Sequence, residues 1–315
     1  MLLTLSTEDR KLLSGLTDRT AIRVQYFPRT QNGGSKHWPM QFELSMLSYS
    51  PTSPTVGDCD VISSIDVDIP LGCWIGSMGA FVLIHGTGHG GWCWRFVVPL
   101  LRAAGHEVYT PTLTGLGASS HLLHEVNRIS LATHVQDVSN TLFYEDLSGV
   151  VLVGHSYAGM VITGVVAKEP QRLAHLVYLD AYLPLEGESE IVLWPPDQLA
   201  KYRTDLASGT RFRKPLSSSV LGITDPKMSQ WVQERLTPHP YSTYEDPPAS
   251  STPESASVPR TYVHCTLGPF ASWMEPFAVR ARKLGWNVQT MAAGHDVMIT
   301  HPNELADVLL RIAAK

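Results

Sequence analysis

Ser156, in the stretch VVLVGHSYAG at residues 150–159, is the first group in this chain whose setting could do chemistry. A serine hydroxyl is a weak nucleophile until a base stands beside it and the backbone holds it clear of its neighbours. Val150, Val151, Leu152 and Val153 read as a buried parallel strand ending at Gly154, and the small and apolar run 158–167 reads as a helix. Strand, sharp turn with serine at its tip, then helix is the nucleophile elbow, written G-x-S-x-G. The strained turn needs small residues two before the serine and two or three after it. Gly154, Ala158 and Gly159 supply them, with Ala158 departing from the pattern by one methyl group.

A base follows in the chain order that such a site needs. Residues 288–291 read as a short strand, Ala292, Ala293 and Gly294 lead to His295, and a helix runs from Pro302 with Thr300 as its expected cap. Leu305, Val308, Leu309 and Ile312 fall on one face of that helix. A histidine between last strand and last helix can reach Ser156 across the C-terminal edge of a sheet. Neutral imidazole accepts a serine proton near neutral pH. The chain has 13 histidines, and position relative to the elbow singles out His295.

Residues 81–94, FVLIHGTGHGGWCW, add a strand followed by a glycine-rich loop. A backbone N–H from this loop, joined by that of the residue after the nucleophile, would make an oxyanion hole, which assigns the donors to Thr87 and Tyr157. The loop also spells the dinucleotide fingerprint through Gly86, Gly88 and Gly91. That fingerprint requires a small-residue helix start and an acid at the end of the next strand. Trp92 and Trp94 follow the glycines instead, and Thr110 and Pro111 end the strand, so the match is coincidental. His85 and His89 have a zinc-helix spacing, but the intervening glycines preclude a helix. Neither a metal nor an organic cofactor is expected.

From Met78 onward the chain resembles the α/β-hydrolases of the plant methylesterase and hydroxynitrile lyase group. Within that group it looks most like bacterial esterases of the pyrethroid- and carbamate-hydrolysing type. The motifs that carry the likeness are FVLIHGTGHGGWCW, VVPLLRAAGHEVYTPTLTGLGASSHL, LVGHSYAGMV, LVYLDAYLP and GHDVMITHP. The resemblance implies an α/β-hydrolase fold, with a mostly parallel sheet covered by helices on both faces, and a Ser–His–acid mechanism without cofactor. It also implies an acid just after the strand before the last, yet residues 260–265 are followed by Thr266, Leu267, Gly268 and Pro269. Glu275 is the first carboxylate beyond, already on a helix. The other position used in this fold is the end of the preceding strand, where LVYLD puts Asp180. Asp180 is therefore the expected acid, ahead of Glu275 and of Asp296, which as the neighbour of His295 in sequence would seldom face it.

Residues 181–259, rich in proline and scattered aromatics, read as a small cap inserted after the strand that ends at Asp180. Trp194, Leu221, Met228 and Trp231 are its candidates for an apolar pocket. Residues 1–77 form an N-terminal extension with a helical stretch at 8–16, an alternating segment at 65–69 and a turn-rich segment at 49–55. The extension is expected to be disordered or to be translated sequence upstream of a start at Met78, leaving 78–315 as the hydrolase domain.

A net charge of −5, with no basic block, argues against nucleic acid as a partner, and no apolar run is long enough to span a membrane. Cys59, Cys73, Cys93 and Cys265 have no metal or redox spacing, which fits a cytoplasmic protein. The expected partner is a small-molecule ester, and homodimerisation stays open. Ester hydrolysis leads among three functions. A hydroxynitrile lyase of this group calls for a lysine near the histidine, whereas Asp296, Val297 and Met298 follow His295 and the nearest lysine is Lys283. A non-catalytic binding protein is set against an intact serine and histidine.

Overall fold

The computed structural model describes residues 20–27, 41–48 and 79–314. The chain divides into two units, Met1–Gly76 and Ser77–Lys315. In the first, strands β1 (Thr20–Phe27) and β2 (Gln41–Ser48) pair antiparallel. The sequence reading did not anticipate this pair. Its signal is the alternation of Ile22, Val24 and Tyr26 with Arg23 and Gln25, and the register sets these three opposite Met46, Leu44 and Phe42. The helical stretch at 8–16 and the alternating segment at 65–69 lie outside the described residues.

The second unit is built on six strands: β3 (Ala80–Ile84), β4 (Glu107–Tyr109), β5 (Val150–His155), β6 (Leu173–Leu179), β9 (Arg260–Cys265) and β10 (Asn287–Met291). All the pairings are parallel, in the order β10-β9-β6-β5-β3-β4. Both faces are covered, which explains near-continuous apolar strands. Val82 and Ile84 of β3 join Leu152 of β5 in one core, while Phe81 and Leu83 join Val151 and Val153 in the other. Helices α1 (Val98–Ala103), α2 (Leu131–Tyr144) and α3 (Ala158–Lys168) connect the first four strands.

Between β6 and β9 lies the cap, with α4 (Pro196–Ala207), β7 (Phe212–Arg213), α5 (Pro226–Gln233), β8 (His239–Pro240) and α6 (Pro253–Ser257). β7 and β8 pair antiparallel. Helix α5 starts two residues before the helical stretch that the sequence suggests at 228–236, because the Asp225 carboxylate accepts from the Met228 N–H at 2.7 Å and Pro226 occupies the first helical position. After β9 come α7 (Phe270–Lys283), then β10, the short α8 (Val297–Thr300) and α9 (Pro302–Ala313). Thr300 does not cap α9 as expected. It is spent in α8, its amide bonded to the Asp296 carbonyl at 3.2 Å, and His301 takes the cap position without a side-chain bond.

The strand order places the site. After β3 the chain crosses to β4 on one side, and after β5 to β6 on the other, so the loops leaving β3 and β5 diverge and open a crevice. Because the whole six-stranded sheet lies within residues 79–314, a chain beginning at Met78 is expected to fold with the same cooperativity and specific activity as the full chain. Thermal unfolding and an ester assay on both chains check this. Loss of soluble or active protein on truncation would show that residues 1–77 are needed.

Candidate active site

β5 delivers Ser156 at its end, and the backbone there is strained: Ser156 has φ +56°. A left-handed conformation costs a non-glycine residue about 1–2 kcal/mol, so the surroundings must enforce it. They do so by close approach. A Cβ on Gly159 would collide with the Tyr182 carbonyl, and one on Gly86 would stand 2.8 Å from the Ser156 Cβ. Ala158, the departure from the motif, is tolerated because the third small position, Gly159, carries the tightest contact. The Ser156 carbonyl accepts from the amides of Gly159 and Tyr182, both at 3.1 Å.

Ser156 Oγ lies 2.9 Å from His295 Nε2, and His295 Nδ1 lies 2.7 Å from Asp180 Oδ2. All three residues are buried. The three residues singled out in the sequence thus stand in one hydrogen-bonded chain. His295 comes from beyond β10 and crosses β9 and β6 to reach β5, and Asp180 sits in the middle of that path. Its own backbone is left-handed, with φ +42°, and its amide extends the sheet ladder to the Val263 carbonyl at 2.7 Å. His295 is also held by its surroundings. The Phe270 ring stacks on it with centroids 4.1 Å apart, and His155 Nε2–H donates to the His295 carbonyl at 3.0 Å.

The second Asp180 oxygen is bonded to β9, the strand that no carboxylate follows directly. Oδ1 accepts from the Cys265 amide and from His264 Nδ1–H, each at 3.0 Å. Burial works to raise the Asp180 pKa, but the hydrogen bonds from His264 and His295, the charge of His295 and the Cys265 amide together hold it below the usual carboxylate range. His264 Nε2 in turn lies 2.9 Å from Glu275 Oε2. Hydrogen bonding to Asp180 raises the His264 pKa against burial, with help from the charges of Asp180 and Glu275. Glu275 therefore belongs to the same chain, two steps behind Asp180. Sequence reasoning weighed Glu275 but missed His264, whose only signal was a histidine at the strand end where an acid was wanted.

Asp296 turns away from its neighbour and bonds His89 Nε2 at 3.0 Å. His89 Nδ1–H donates to the Thr87 carbonyl at 2.8 Å, so both ring nitrogens donate and the ring is an imidazolium. Burial works to lower the His89 pKa, but the Asp296 carboxylate raises it above its ordinary value. This buried pair ties the Thr87 loop to the His295 loop. The cap clamps the same loop from above: the Gly88 amide donates to His239 Nδ1 at 3.2 Å, the Thr237 amide to the Gly88 carbonyl at 2.8 Å, and Tyr244 Oη–H to Thr87 Oγ1 at 3.0 Å. Tyr157 stands at the start of α3, and its hydroxyl is anchored behind the site. His134 Nε2–H donates to the Thr114 carbonyl at 2.9 Å, so Nδ1 accepts from Tyr157 Oη–H at 2.8 Å. His239, Tyr244 and His134 carried no motif and were not anticipated.

Thr87, Ser156 and His295 line a narrow pocket, joined by Tyr182, Leu221 and Phe270. Of the four cap residues expected to form a pocket, Leu221 lines this one. Trp231 packs instead on Trp92 and Phe96, Met228 joins that same core face, and Trp194 is buried behind the pocket with its indole N–H on Glu190 Oε1 at 3.1 Å.

Several histidines near the site are neutral by burial, with a consequence for acid stability. Burial lowers the pKa of His85 and His155 to about 3 and that of His134 to about 4. A depressed histidine stabilises the fold above its unfolded value of about 6.5, and this contribution is lost as pH falls from there toward 3–4. His239 is pushed well below its ordinary value by burial too, so at pH 5 the unfolded chain holds four protons that the fold excludes, a slope of about 5 kcal/mol per pH unit. Glu190, raised by burial to about 8, keeps a proton in the fold that the unfolded chain sheds, and so takes back about 1 kcal/mol per unit. Urea unfolding at pH 7, 6 and 5 is expected to show stability falling by about 4 kcal/mol per unit near pH 5. A flat profile would contradict neutral burial of these rings.

The sequence pattern of the alpha/beta hydrolase family matches residues 81–308. A carbendazim hydrolyzing esterase from Nocardioides sp. (strain SG-4G) is 39% identical over 246 residues, covering 74% of this chain and 98% of that protein. Salicylic acid-binding protein 2 from Nicotiana tabacum is 27% identical over 270 residues, covering 75% and 97%. Among solved structures, an extracellular alpha/beta-hydrolase from a Paenibacillus species superposes with a TM-score of 0.63 at 23% identity, covering 74% of this chain and 98% of that one. The parallel sheet, the serine-bearing elbow and the extent of these matches together make this chain a member of the alpha/beta hydrolase family, in its esterase group.

Proposed function

We propose that this protein cleaves a small, largely apolar carboxylic ester through an acyl-enzyme, with Ser156 as nucleophile, His295 as general base and acid, and Asp180 as the supporting carboxylate. The observation that carries this reading is the unbroken chain from Ser156 Oγ to His295 Nε2 at 2.9 Å and from His295 Nδ1 to Asp180 Oδ2 at 2.7 Å. Ester hydrolysis as the reaction class rests on the esterase relatives and the shared family.

In this mechanism Ser156 Oγ–H donates to His295 Nε2 and Oγ attacks the ester carbonyl while His295 takes the proton. Asp180 stabilises the resulting imidazolium and holds its tautomer. The amides of Thr87 and Tyr157 serve as the oxyanion hole, one on a loop pinned by His89 and Tyr244, the other at the start of α3. His295 then protonates the leaving alkoxide, the alcohol departs, and water repeats the sequence on the acyl-serine. The C–C lyase reading gains nothing from the pocket, whose lining contains no lysine. Buried, free Cys93 and Cys265 support a reducing compartment such as the cytoplasm. Among the described residues no helix is long and apolar enough to cross a membrane. A colorimetric assay with a short-chain aryl ester, on the wild-type protein and on Ser156→Ala, tests the proposal. Release of the chromophore by the first and not by the second is the expected result.

A further inference from the structure

Glu190 is the one acid that lines the pocket without a place in the mechanism. It opens a single turn of 3₁₀ helix, Glu190–Leu193, in the cap and is 1% exposed. Its Oε1 accepts the Trp194 indole N–H at 3.1 Å, while Oε2 is enclosed and has no partner. A buried carboxyl oxygen left unmatched is costly to fold and calls for a reason. Arg213 lines the same pocket, 6% exposed, its guanidinium 4.7 Å over the Trp194 ring and one Nη on Gln198 Oε1 at 3.0 Å.

We propose that Glu190 is a ligand-recognition residue whose unpartnered Oε2, bearing the carboxyl proton, donates a hydrogen bond to an uncharged acceptor on the non-reacting part of the ester. A ring nitrogen, an ether oxygen or a second carbonyl would serve. This inference rests on the ester reading for its substrate class. The proton belongs on Oε2 because Oε1 already accepts from the indole. Burial holds the carboxyl neutral below about pH 8 in spite of the Trp194 bond and the Arg213 charge. Arg213 disfavours a cationic ligand, and the face and one edge of its guanidinium are engaged by Trp194 and Gln198. Tyr182, Leu221 and Phe270 supply the apolar remainder of the pocket.

Calorimetry on Ser156→Ala, which measures binding without turnover, can compare methyl benzoate with the three isomeric methyl pyridinecarboxylates. These esters have the same shape and differ by one ring acceptor. At pH 7 at least one isomer is expected to bind about tenfold more tightly than methyl benzoate, the worth of one hydrogen bond to an otherwise orphaned group. Adding Glu190→Leu should erase that advantage, whereas Glu190→Gln, which keeps a neutral donor, should retain most of it. A second arm needs no apolar replacement. The advantage should fade in Ser156→Ala as pH rises through about 8 and Glu190 ionises, and should persist in Ser156→Ala/Glu190→Gln.

The other charged or titratable groups facing Glu190 are Arg213 and Tyr182 with Tyr157 and Tyr244, all three tyrosines pushed well above 10 by burial. His89, His155 and His295 line the pocket as well, and the glutamine variant, which keeps all three, is the control for any pH effect that does not come from Glu190. An equal affinity for benzoate and all three isomers, an advantage that survives Glu190→Leu, or a pH profile shared by the glutamine variant would each overturn the proposal. Failure of the ester reading would appear separately, as absence of turnover in the wild-type protein.

Discussion

Asp180→Asn is expected to lower kcat on an aryl ester by up to about 10⁴-fold while the protein stays folded. The amide keeps the shape of the carboxylate but reverses what it offers. Oδ1 accepts from two donors, the Cys265 amide and His264 Nδ1–H, so the asparagine oxygen is drawn to that side. Its NH₂ would then face His295 Nδ1, forcing this nitrogen to accept. Nε2 would carry the proton, leaving no base toward Ser156 Oγ. The imidazolium formed during attack would also lose its counter-charge. Glu275→Gln should do far less, because Glu275 reaches this chain only through His264, from a half-exposed position where it also pairs with Arg282 at 3.5 Å. Circular dichroism with kinetics on both variants decides the matter. Near-normal turnover in folded Asp180→Asn would remove Asp180 as the acid and leave the roles of Ser156 and His295 standing.

Ser156→Ala and His295→Ala are each expected to reduce kcat by three orders of magnitude or more, and the double variant by little beyond either single change. Residues that act as one unit lose the unit when any member goes. What remains is the binding of the ester and the two amides proposed for the oxyanion, neither of which depends on these side chains. Chelators should leave the rate unchanged. Turnover within an order of magnitude of wild type in purified Ser156→Ala would end the serine-hydrolase reading, whatever the geometry around His295. Additive losses in the double variant would show that the two residues act separately.

Much of this site can be read along the chain because it is encoded locally. The elbow around Ser156 depends on a strand, three small residues and a helix within a few positions of one another, and backbone sterics at a left-handed serine leave few alternatives. His295 follows from chain order, since the loop after the last strand must lie at the same sheet edge. Asp180 follows from the family resemblance, which implies two positions for the acid, once residues 266–269 show no carboxylate. The strand pair at 20–27 and 41–48 shows a local signal overlooked, its alternation standing in plain view beside low-complexity neighbours.

Contacts that join distant segments lie beyond such a reading. His264 and Glu275 flank a loop that looked empty, and only the adjacency of β6 and β9 brings them to Asp180. His89 and Asp296, 207 residues apart, pair because the loops after β3 and β10 meet over the same edge. The cap carries no periodic pattern, so nothing along the sequence distinguishes Leu221, which reaches the pocket, from Met228 and Trp231, which do not. Glu190 would pass for an ordinary surface acid. By itself the sequence determined the fold class and pointed to Ser156 and His295, because these depend on backbone geometry over short spans and on strand order. The tertiary structure decided which oxygen of Asp180 faces His295, which histidines are neutral and what the pocket offers a ligand, because burial and charge are set by neighbours that folding alone assembles.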